Sequence, residues 1–159
     1  MRSIALIIGY SLVILSSCNS FAQNKENTQW ISFEHLEDSL KVKPKKVFID
    51  FYADWCMPCI RMQKEVFTNP AIVSKLSKEY YAVQMNVETT DTIFFGNQMF
   101  VNERANRRNP IHQIPQLMAR QKNKPFSLPA IVIMDEKFEA TARYFQYLNT
   151  EQLLKILSN

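Results

Sequence analysis

The spacing of apolar residues along the chain predicts alternating strands and helices. Residues 46–53 are apolar on both faces, as in a central strand covered by helices on both sides, and residues 81–87 alternate like a half-buried strand. A proline leads a third apolar run at 128–134, and residues 138–145 return antiparallel to it. Apolar residues one turn apart predict helices that begin near residues 59, 70, 115 and 150.

A short strand is predicted at the start of the folded part, from Trp30, Ile31 and Phe33. Leu36 and Leu40, one turn apart, predict one or two helical turns behind it. With the elements above, the predicted order is β-α-β-α-α-β, a hairpin, a helix, and then β-β-α. This order implies an α/β domain with a mixed sheet and helices on both faces.

A β-hairpin is predicted within residues 91–102. Apolar runs there flank Gly96-Asn97, a dipeptide of the kind that tight hairpin turns require. Gly96 is the only glycine beyond residue 9, so its place in this turn is informative. A polar and basic stretch follows, which we expect to be a solvated loop, with partner docking as the alternative. Its cations are Arg104, Arg107 and Arg108.

The first residues have the pattern of an export signal. Arg2 precedes the apolar residues 4–15, a run that is too short to span a bilayer comfortably. Two endings compete. Residues 15–18 resemble a lipoprotein signal in which lipid is attached to Cys18, whereas residues 20–22 resemble an ordinary signal-peptidase site. A retained anchor helix is the third alternative.

These signals divide the chain into a signal peptide at 1–22, a flexible leader at 23–29 and a folded domain at 30–159. In every alternative the domain lies outside the cytoplasm, in the periplasm or at the cell-envelope membrane. The 159 residues, of which 47% are hydrophobic, suit one domain with a core of useful size. The formal charge is only +4, and without a long basic run or a stacking platform it argues against a nucleic-acid partner.

Cysteine usage directs attention to Cys56 and Cys59. The third cysteine, Cys18, is either lipidated or removed with a signal peptide, so the folded domain keeps this pair alone. The pair would stand in the first turn of a helix, where free N–H groups and the dipole favour a thiolate. A bridge between them closes a very short loop, which suits opening and closing better than stapling. Metal binding would need further ligands, and His35 and His112 are both expected on the surface.

Two motifs carry a family resemblance: Asp50-Phe51-Tyr52-Ala53-Asp54-Trp55-Cys56-Met57-Pro58-Cys59 and, before a later strand, Ser127-Leu128-Pro129-Ala130. Together they closely resemble the thioredoxin superfamily, and in particular its exported, periplasmic members and thiol:disulfide interchange reductase domains. The resemblance covers residues 30–159, apart from an insertion at about 90–110. It implies a three-layer α/β/α sandwich with a mixed central sheet. The inserted hairpin would lie between the third strand and the helix before the cis-proline loop.

The resemblance also implies roles for individual residues. Cys56 would be the exposed nucleophile and Cys59 the buried resolving thiol. Asp50 would be a buried carboxylate that takes a proton from Cys59; the alternative is a structural acid bonded to the backbone. Pro129 would be cis and would receive a substrate strand beside the dithiol; the alternative is a proline at a strand start. Trp55 would be the active-site tryptophan, with simple packing as the alternative.

Three features depart from the family pattern. Met57 stands between the thiols where thioredoxins commonly have glycine, and we expect it to affect redox potential and substrate fit. The next residue, Pro58, keeps the family pattern and suits the first turn of a helix, where its missing N–H costs nothing. Gln84 occupies the strand position where many members place a lysine near the buried acid, which changes the proton relay. The insertion at 90–110 has no counterpart in the minimal fold.

The sequence therefore predicts a thiol-disulfide oxidoreductase of the cell envelope that acts through Cys56 and Cys59, in the reducing direction or as an isomerase-type exchanger rather than as a strong oxidant. Its redox group is the Cys56–Cys59 disulfide, so we expect no separate cofactor and no metal. The expected partners are protein thiols and disulfides, a membrane or periplasmic electron donor and, through lipid on Cys18, a membrane. The alternatives are a partner-binding protein or a metal-handling protein in which the dithiol is incidental.

Overall fold

A computed structural model describes residues 27–159 of the chain. Apart from the first predicted strand, their helices and strands follow the predicted order. In chain order they are α1 (Phe33–Val42), β1 (Lys46–Tyr52), α2 (Met57–Glu65), α3 (Pro70–Glu79), β2 (Tyr80–Asn86), β3 (Ile93–Phe95), β4 (Gln98–Phe100), α4 (Gln113–Met118), β5 (Ala130–Met134), β6 (Ala140–Tyr144) and α5 (Thr150–Leu157).

Four strands form one mixed sheet in the order β2-β1-β5-β6. The central strand β1 pairs in parallel with β2 and antiparallel with β5, and β5 pairs antiparallel with β6. In this register Asp50 lies between Gln84 on β2 and Ile131 on β5. The predicted mixed sheet is therefore confirmed.

The sheet is covered by helices on both faces, because successive residues of β1 point to opposite sides. On one face Val47, Ile49 and Phe51 share a core cluster with residues of α1 and α4. On the other face Phe48 shares a cluster with residues of α2, α3 and α5. The α/β/α layering expected from the resemblance is confirmed, and Asp50 lies on the same face as Phe48.

The first predicted strand is reduced to a single bridge. Ile31 pairs with Val83, and its N–H donates to the carbonyl oxygen of Ala82 at 2.9 Å. The strand ends there because Ser32 caps a helix: its Oγ accepts a hydrogen bond from the backbone N–H of His35. The helix α1 has ten residues, so the prediction of one or two turns was too short.

The predicted hairpin is confirmed as a separate two-stranded sheet, β3 and β4. Gly96 and Asn97 both have positive φ angles, 60° and 59°, as a tight turn with matching twist requires. The hairpin packs on the domain through Phe95, whose ring lies 5.5 Å from that of Phe33 and 5.1 Å from that of Phe138. The insertion is thus fixed to the domain at its turn.

The prediction that His112 lies on the surface is wrong, because the residue is fully buried. It caps α4, where its Nδ1 accepts a hydrogen bond from the backbone N–H of Ile114. With Nδ1 accepting, Nε2 carries the proton and donates to the carbonyl oxygen of Asp91 at 3.2 Å. Burial lowers the pKa of His112. His35 is exposed, as expected.

The start of the chain is described only in part. The predicted signal peptide, with Cys18 and both cleavage alternatives, and the first four residues of the leader lie outside the described residues. Of the rest of the leader, Thr28 is buried and its hydroxyl donates to the carbonyl oxygen of Phe67 at 2.8 Å. Packing therefore begins before the predicted boundary at residue 30. No helix within residues 27–159 has the length and apolar character needed to cross a membrane.

Candidate active site

The two domain cysteines form a disulfide at the first turn of α2, with their Cα atoms 5.2 Å apart. Cys56 is the N-cap of the helix, and its Sγ accepts a hydrogen bond from the backbone N–H of Cys59 at 3.3 Å. Pro58 lies within the first turn, where no intrahelical N–H bond is lost. The helix N-terminus therefore offers a donor and a positive dipole end to the sulfur of Cys56.

The expectation of an exposed Cys56 needs correction for this disulfide form. Cys56 is 3% exposed and Cys59 is 1% exposed. Trp55 and Met57, the residues on either side of Cys56, are 65% and 70% exposed, so the accessible surface at this turn belongs to the flanking side chains. Trp55 and Met57 are therefore surfaces that a partner can contact beside the disulfide.

Asp50 points into the interior, as predicted, and is 1% exposed. Burial raises the pKa of its carboxyl to about 7, and a hydrogen bond from Gln84 opposes that rise. Gln84 Nε2 donates to Asp50 Oδ2 at 2.9 Å, while Oδ1 has no hydrogen-bond partner in the described domain. The alternative of a carboxyl bonded to the backbone is not what the geometry shows, since the donor is a side-chain amide.

The Leu128–Pro129 peptide bond is cis, the geometry expected for Pro129, while its role in receiving a substrate strand stays a prediction. The strand β5 begins directly after it, and Ala130 is paired with Phe51 near the end of β1. This pairing places the cis-proline loop at the end of the sheet from which the chain runs into the dithiol turn.

Trp55 is held by a residue that the sequence did not single out. Its Nε1 donates to Oε1 of Glu88 at 2.9 Å. Beside the indole is a cavity of about 180 Å³, called here the Trp55 cavity. It lies between Trp55, the residues before Pro129 and the C-terminal end of the insertion. Its lining residues include one acid, Glu88; the full set is Trp55, Val87, Glu88, Asn109, Ile111, Phe126, Ser127 and Leu128.

A wider groove of about 550 Å³ runs along the exposed face of α2, on the Met57 side of the dithiol. Met57, Pro58 and Ile60 form its apolar part. Tyr147 closes it, and the guanidinium of Arg61 lies 5.0 Å from the Tyr147 ring centre while it pairs with Glu65 at 2.9 Å. Tyr147 could not be predicted for this groove from the sequence, since it comes from the segment between β6 and α5.

Two acids lie beside the dithiol turn, and Arg61, further along α2, is paired with Glu65. The first turn of α2 carries neither a lysine nor an arginine, and Asp54 directly precedes Trp55. Asp54 accepts a hydrogen bond from Asn86 Nδ2 at 3.2 Å, and Glu88 accepts one from Trp55. Among residues 27–159 no three His, Cys, Asp or Glu side chains lie together in a way that could hold a metal ion.

The fold and the disulfide define the class of the protein. The thioredoxin-like domain family matches residues 33–159, and the chain belongs to that family. The resemblance inferred from the two sequence motifs is thereby confirmed at the level of the family.

Individual relatives agree with this class. The thiol:disulfide interchange protein DsbD of Colwellia psychrerythraea is 32% identical over 89 residues, which covers 53% of this chain and 14% of the relative. The chain spans between 8% and 15% of the length of the curated relatives it matches. A thioredoxin from Thermus thermophilus has a similar fold, with a TM-score of 0.59, 18% identity, and 84% and 86% of the two chains covered. For the oxidised DsbD C-terminal domain of Neisseria meningitidis the TM-score is 0.52 and the sequence identity 15%, with 79% of this chain and 89% of that domain covered.

Proposed function

We propose that this protein is a thiol-disulfide oxidoreductase of the cell envelope that reduces disulfides in protein clients. The observation that carries the proposal is the Cys56–Cys59 disulfide at the N-terminus of α2, at the sheet end where a cis-proline loop precedes β5. A cysteine pair in this setting can open and close without unfolding the domain, because the loop between the cysteines contains only two residues.

The reaction proceeds in two exchange steps. In the reduced protein the Cys56 thiolate attacks one sulfur of a client disulfide, which forms a Cys56–client mixed disulfide and releases the other client thiolate. The Cys59 thiolate then attacks Cys56 Sγ, which closes the Cys56–Cys59 disulfide and releases the second client thiolate. Two electrons pass from the dithiol to the client, and the two client sulfurs take up the protons that the dithiol loses.

Asp50 is the group we propose to accept the proton of Cys59. A carboxyl with a pKa of about 7 exists in both protonation states near neutral pH, as a proton acceptor in such a step requires. Its side chain lies on the sheet face of Phe48, where Met62 of α2 packs. Cys59 lies one turn before Met62 and packs in the core cluster of Phe51, the next residue after Asp50. Gln84 orients the carboxyl without adding a positive charge.

The reducing direction is supported by the charges around the dithiol. A cation beside the nucleophile stabilises its thiolate, which favours the reduced form and makes the couple oxidising. Here the first turn of α2 has no lysine or arginine. Two acids lie beside it: Asp54 comes just before Trp55 in the chain, and Glu88 accepts a hydrogen bond from Trp55. These charges favour the disulfide form, so the reduced protein is a good electron donor. The hydrogen bond to Cys56 Sγ acts in the opposite sense but adds no charge.

The cell-envelope location is proposed from the export signal in residues 1–22. An exported reductase needs a membrane or periplasmic electron donor that returns the Cys56–Cys59 disulfide to the dithiol. Mass spectrometry of the mature protein distinguishes the N-terminal alternatives: a lipidated Cys18, or an unmodified chain that begins at Gln23.

A Cys59→Ala variant tests the proposed function. Without the resolving thiol, an exchanger accumulates mixed disulfides through Cys56, and these disappear on treatment with dithiothreitol. The matched control is Cys56→Ala, which we expect to trap far less because the helix N-terminus stabilises a thiolate on Cys56, the N-cap whose Sγ accepts a backbone N–H bond. If neither variant forms mixed disulfides with exported proteins, the dithiol is incidental and the proposal is wrong.

A further inference from the structure

We propose that the insertion selects clients. It forms one wall of the Trp55 cavity and carries a basic loop, residues 103–109. Together the wall and the loop favour client segments that have an apolar side chain and acidic residues beside the cysteine. The proposal rests on the proposed function, since it assumes that protein disulfides are the substrates. It assigns a task to the part of the chain that the dithiol chemistry does not need.

The Trp55 cavity joins the insertion to the dithiol turn. Trp55 directly precedes Cys56, and Leu128 directly precedes the cis-proline. The opposite wall is made by Asn109 and Ile111, at the C-terminal end of the insertion. A client cysteine that reaches Cys56 therefore brings its neighbouring residues against the insertion.

The size of the Trp55 cavity suits one large side chain. Its volume is about 180 Å³, and an apolar cavity of about 150 Å³ is enough to hold benzene. The walls from Ile111, Phe126 and Leu128 are apolar and only half-buried, so they have surface left to cover. An aromatic or large aliphatic side chain of the client would bury that surface.

The wall is held in place before any client arrives. The backbone N–H of His112 donates to the carbonyl oxygen of Val87 at 2.8 Å. Asn102 Nδ2 donates both to the carbonyl oxygen of Thr89, at 3.0 Å, and to that of Pro110, at 2.8 Å. Asn102 thus ties the two ends of the insertion together. A preformed wall spends little of the binding free energy on ordering the loop.

The basic loop gives this wall a positive charge. Arg104, Arg107 and Arg108 are exposed, and none of them forms an ion pair with another residue in the range 27–159, where the four ion pairs lie on α1, α2 and α3. Arg107 and Arg108 come within two residues of Asn109, so their Cα atoms lie within roughly 8 Å of the wall. The one acid of the loop, Glu103, accepts a hydrogen bond from Gln113 Nε2 at 2.8 Å. The arginines are therefore available to client carboxylates.

Four peptides, each with one cysteine as a mixed disulfide with thionitrobenzoate, test the proposal. They combine phenylalanine or serine next to the cysteine with two flanking glutamates or two flanking lysines. Attack by Cys56 on the peptide sulfur releases coloured thionitrobenzoate, and Cys59 then releases the peptide thiol. At low ionic strength the reduced protein should react fastest with the phenylalanine–glutamate peptide. The glutamate-over-lysine preference should be roughly three- to tenfold, as expected for exposed charge pairs, and should decrease with added salt.

Two variants assign the preferences to residues. An Arg107→Glu, Arg108→Glu double variant should reverse the glutamate preference, and Ile111→Ala should reduce the phenylalanine preference. The control is a Lys78→Glu, Lys155→Glu double variant. It makes the same change of charge near the start of β2, at the end of the sheet away from the dithiol, and should keep both preferences. Ratios between peptides are compared within each variant, so a loss of folded protein cancels.

The outcomes separate this inference from the proposed function. If the wild-type protein fails to react even with bis-thionitrobenzoate disulfide, the proposed function is wrong and the inference is wrong with it. If the protein reacts with that small disulfide but treats the four peptides alike, the insertion does not select clients. The same conclusion follows if the arginine variant and the lysine control change the charge preference equally.

Discussion

Asp50 is a carboxyl group that the fold buries without a countercharge. Its one described hydrogen bond comes from the neutral amide of Gln84, and burial raises its pKa to about 7 from 3.8. The carboxyl thus has a higher pKa in the folded protein than in the unfolded chain. Its contribution to the free energy of unfolding is fully present only below the pKa of the unfolded chain. That contribution is lost as the pH rises from about 4 through 7, because the unfolded chain ionises first.

We therefore predict that Asp50→Asn stabilises the oxidised protein at pH 8 by about 2–4 kcal/mol and changes little at pH 4. The asparagine keeps the shape of the side chain and removes the cost of a buried charge. Urea unfolding at the two pH values measures the difference. The exposed Asp38→Asn is the control, and an equal effect of Asp50→Asn at both pH values would contradict the account.

Gln84 lowers the pKa of Asp50 through its hydrogen bond. In Gln84→Met that donor is gone, so the pKa should rise further, and Asp50 should accept the proton of Cys59 only at higher pH. Because hydrogen bonds to charged groups contribute about 1.5–3 kcal/mol and Gln84 is half-buried, we expect a shift of about one pH unit.

The rate at which a peptide is released from its mixed disulfide with Cys56, followed against pH, measures this shift. Gln98→Met, on the exposed strand β4, is the matched control and should leave the midpoint unchanged. An unchanged midpoint in Gln84→Met would remove Asp50 from the relay.

At the scale of residues, the sequence was informative where chemistry depends on local order. The positions of Cys56 and Pro58 in the first turn of α2 follow from neighbours in the chain. Glu88 and His112 were missed because their roles depend on contacts across the fold, with Trp55 and with Asp91. A buried histidine that caps a helix gives no spacing signal in the sequence.

The hairpin of β3 and β4 depends on a turn that requires positive φ angles at Gly96 and Asn97. A Cβ added at Gly96 would meet no atom within 4 Å, so only backbone strain opposes a side chain there. We predict that Gly96→Ala lowers the free energy of unfolding by about 1 kcal/mol.

Urea unfolding measures this loss, and Asn97→Gly is the matched control, because glycine adopts the same φ angle without strain. The control should change stability by only a few tenths of a kcal/mol, roughly. If both variants lose the same amount, turn strain does not explain the effect.

Predictions of elements succeeded where the pattern was long or the turn chemistry specific, as in β1 and in the Gly96-Asn97 hairpin. The strand predicted at Trp30 to Phe33 failed because a local signal, the cap at Ser32, started a helix after one bridge. Apolar residues alone did not distinguish a strand from the entry to a helix.

At the scale of the whole molecule, the order of elements was enough to predict a mixed sheet with helices on both faces. The place of the insertion was not predictable, because it is set by contacts between distant parts of the chain. Gly96, for example, donates its backbone N–H to Glu37 on α1 at 2.9 Å, across 59 residues. Next to Ile111 in the wall of the Trp55 cavity, the backbone N–H of His112 likewise donates to the distant carbonyl oxygen of Val87.

The reduction potential of the Cys56–Cys59 couple tests the central claim most directly. The protein is equilibrated with defined ratios of reduced and oxidised glutathione or dithiothreitol and then alkylated. Mass spectrometry measures the fraction of protein in which Cys56 and Cys59 are alkylated, which is the reduced fraction. We predict a potential more negative than about −200 mV, in the range of glutaredoxins and thioredoxin, because the first turn of α2 has no lysine or arginine to stabilise the Cys56 thiolate. A value near about −120 mV, or a disulfide that does not equilibrate, would contradict the assignment as a reductase.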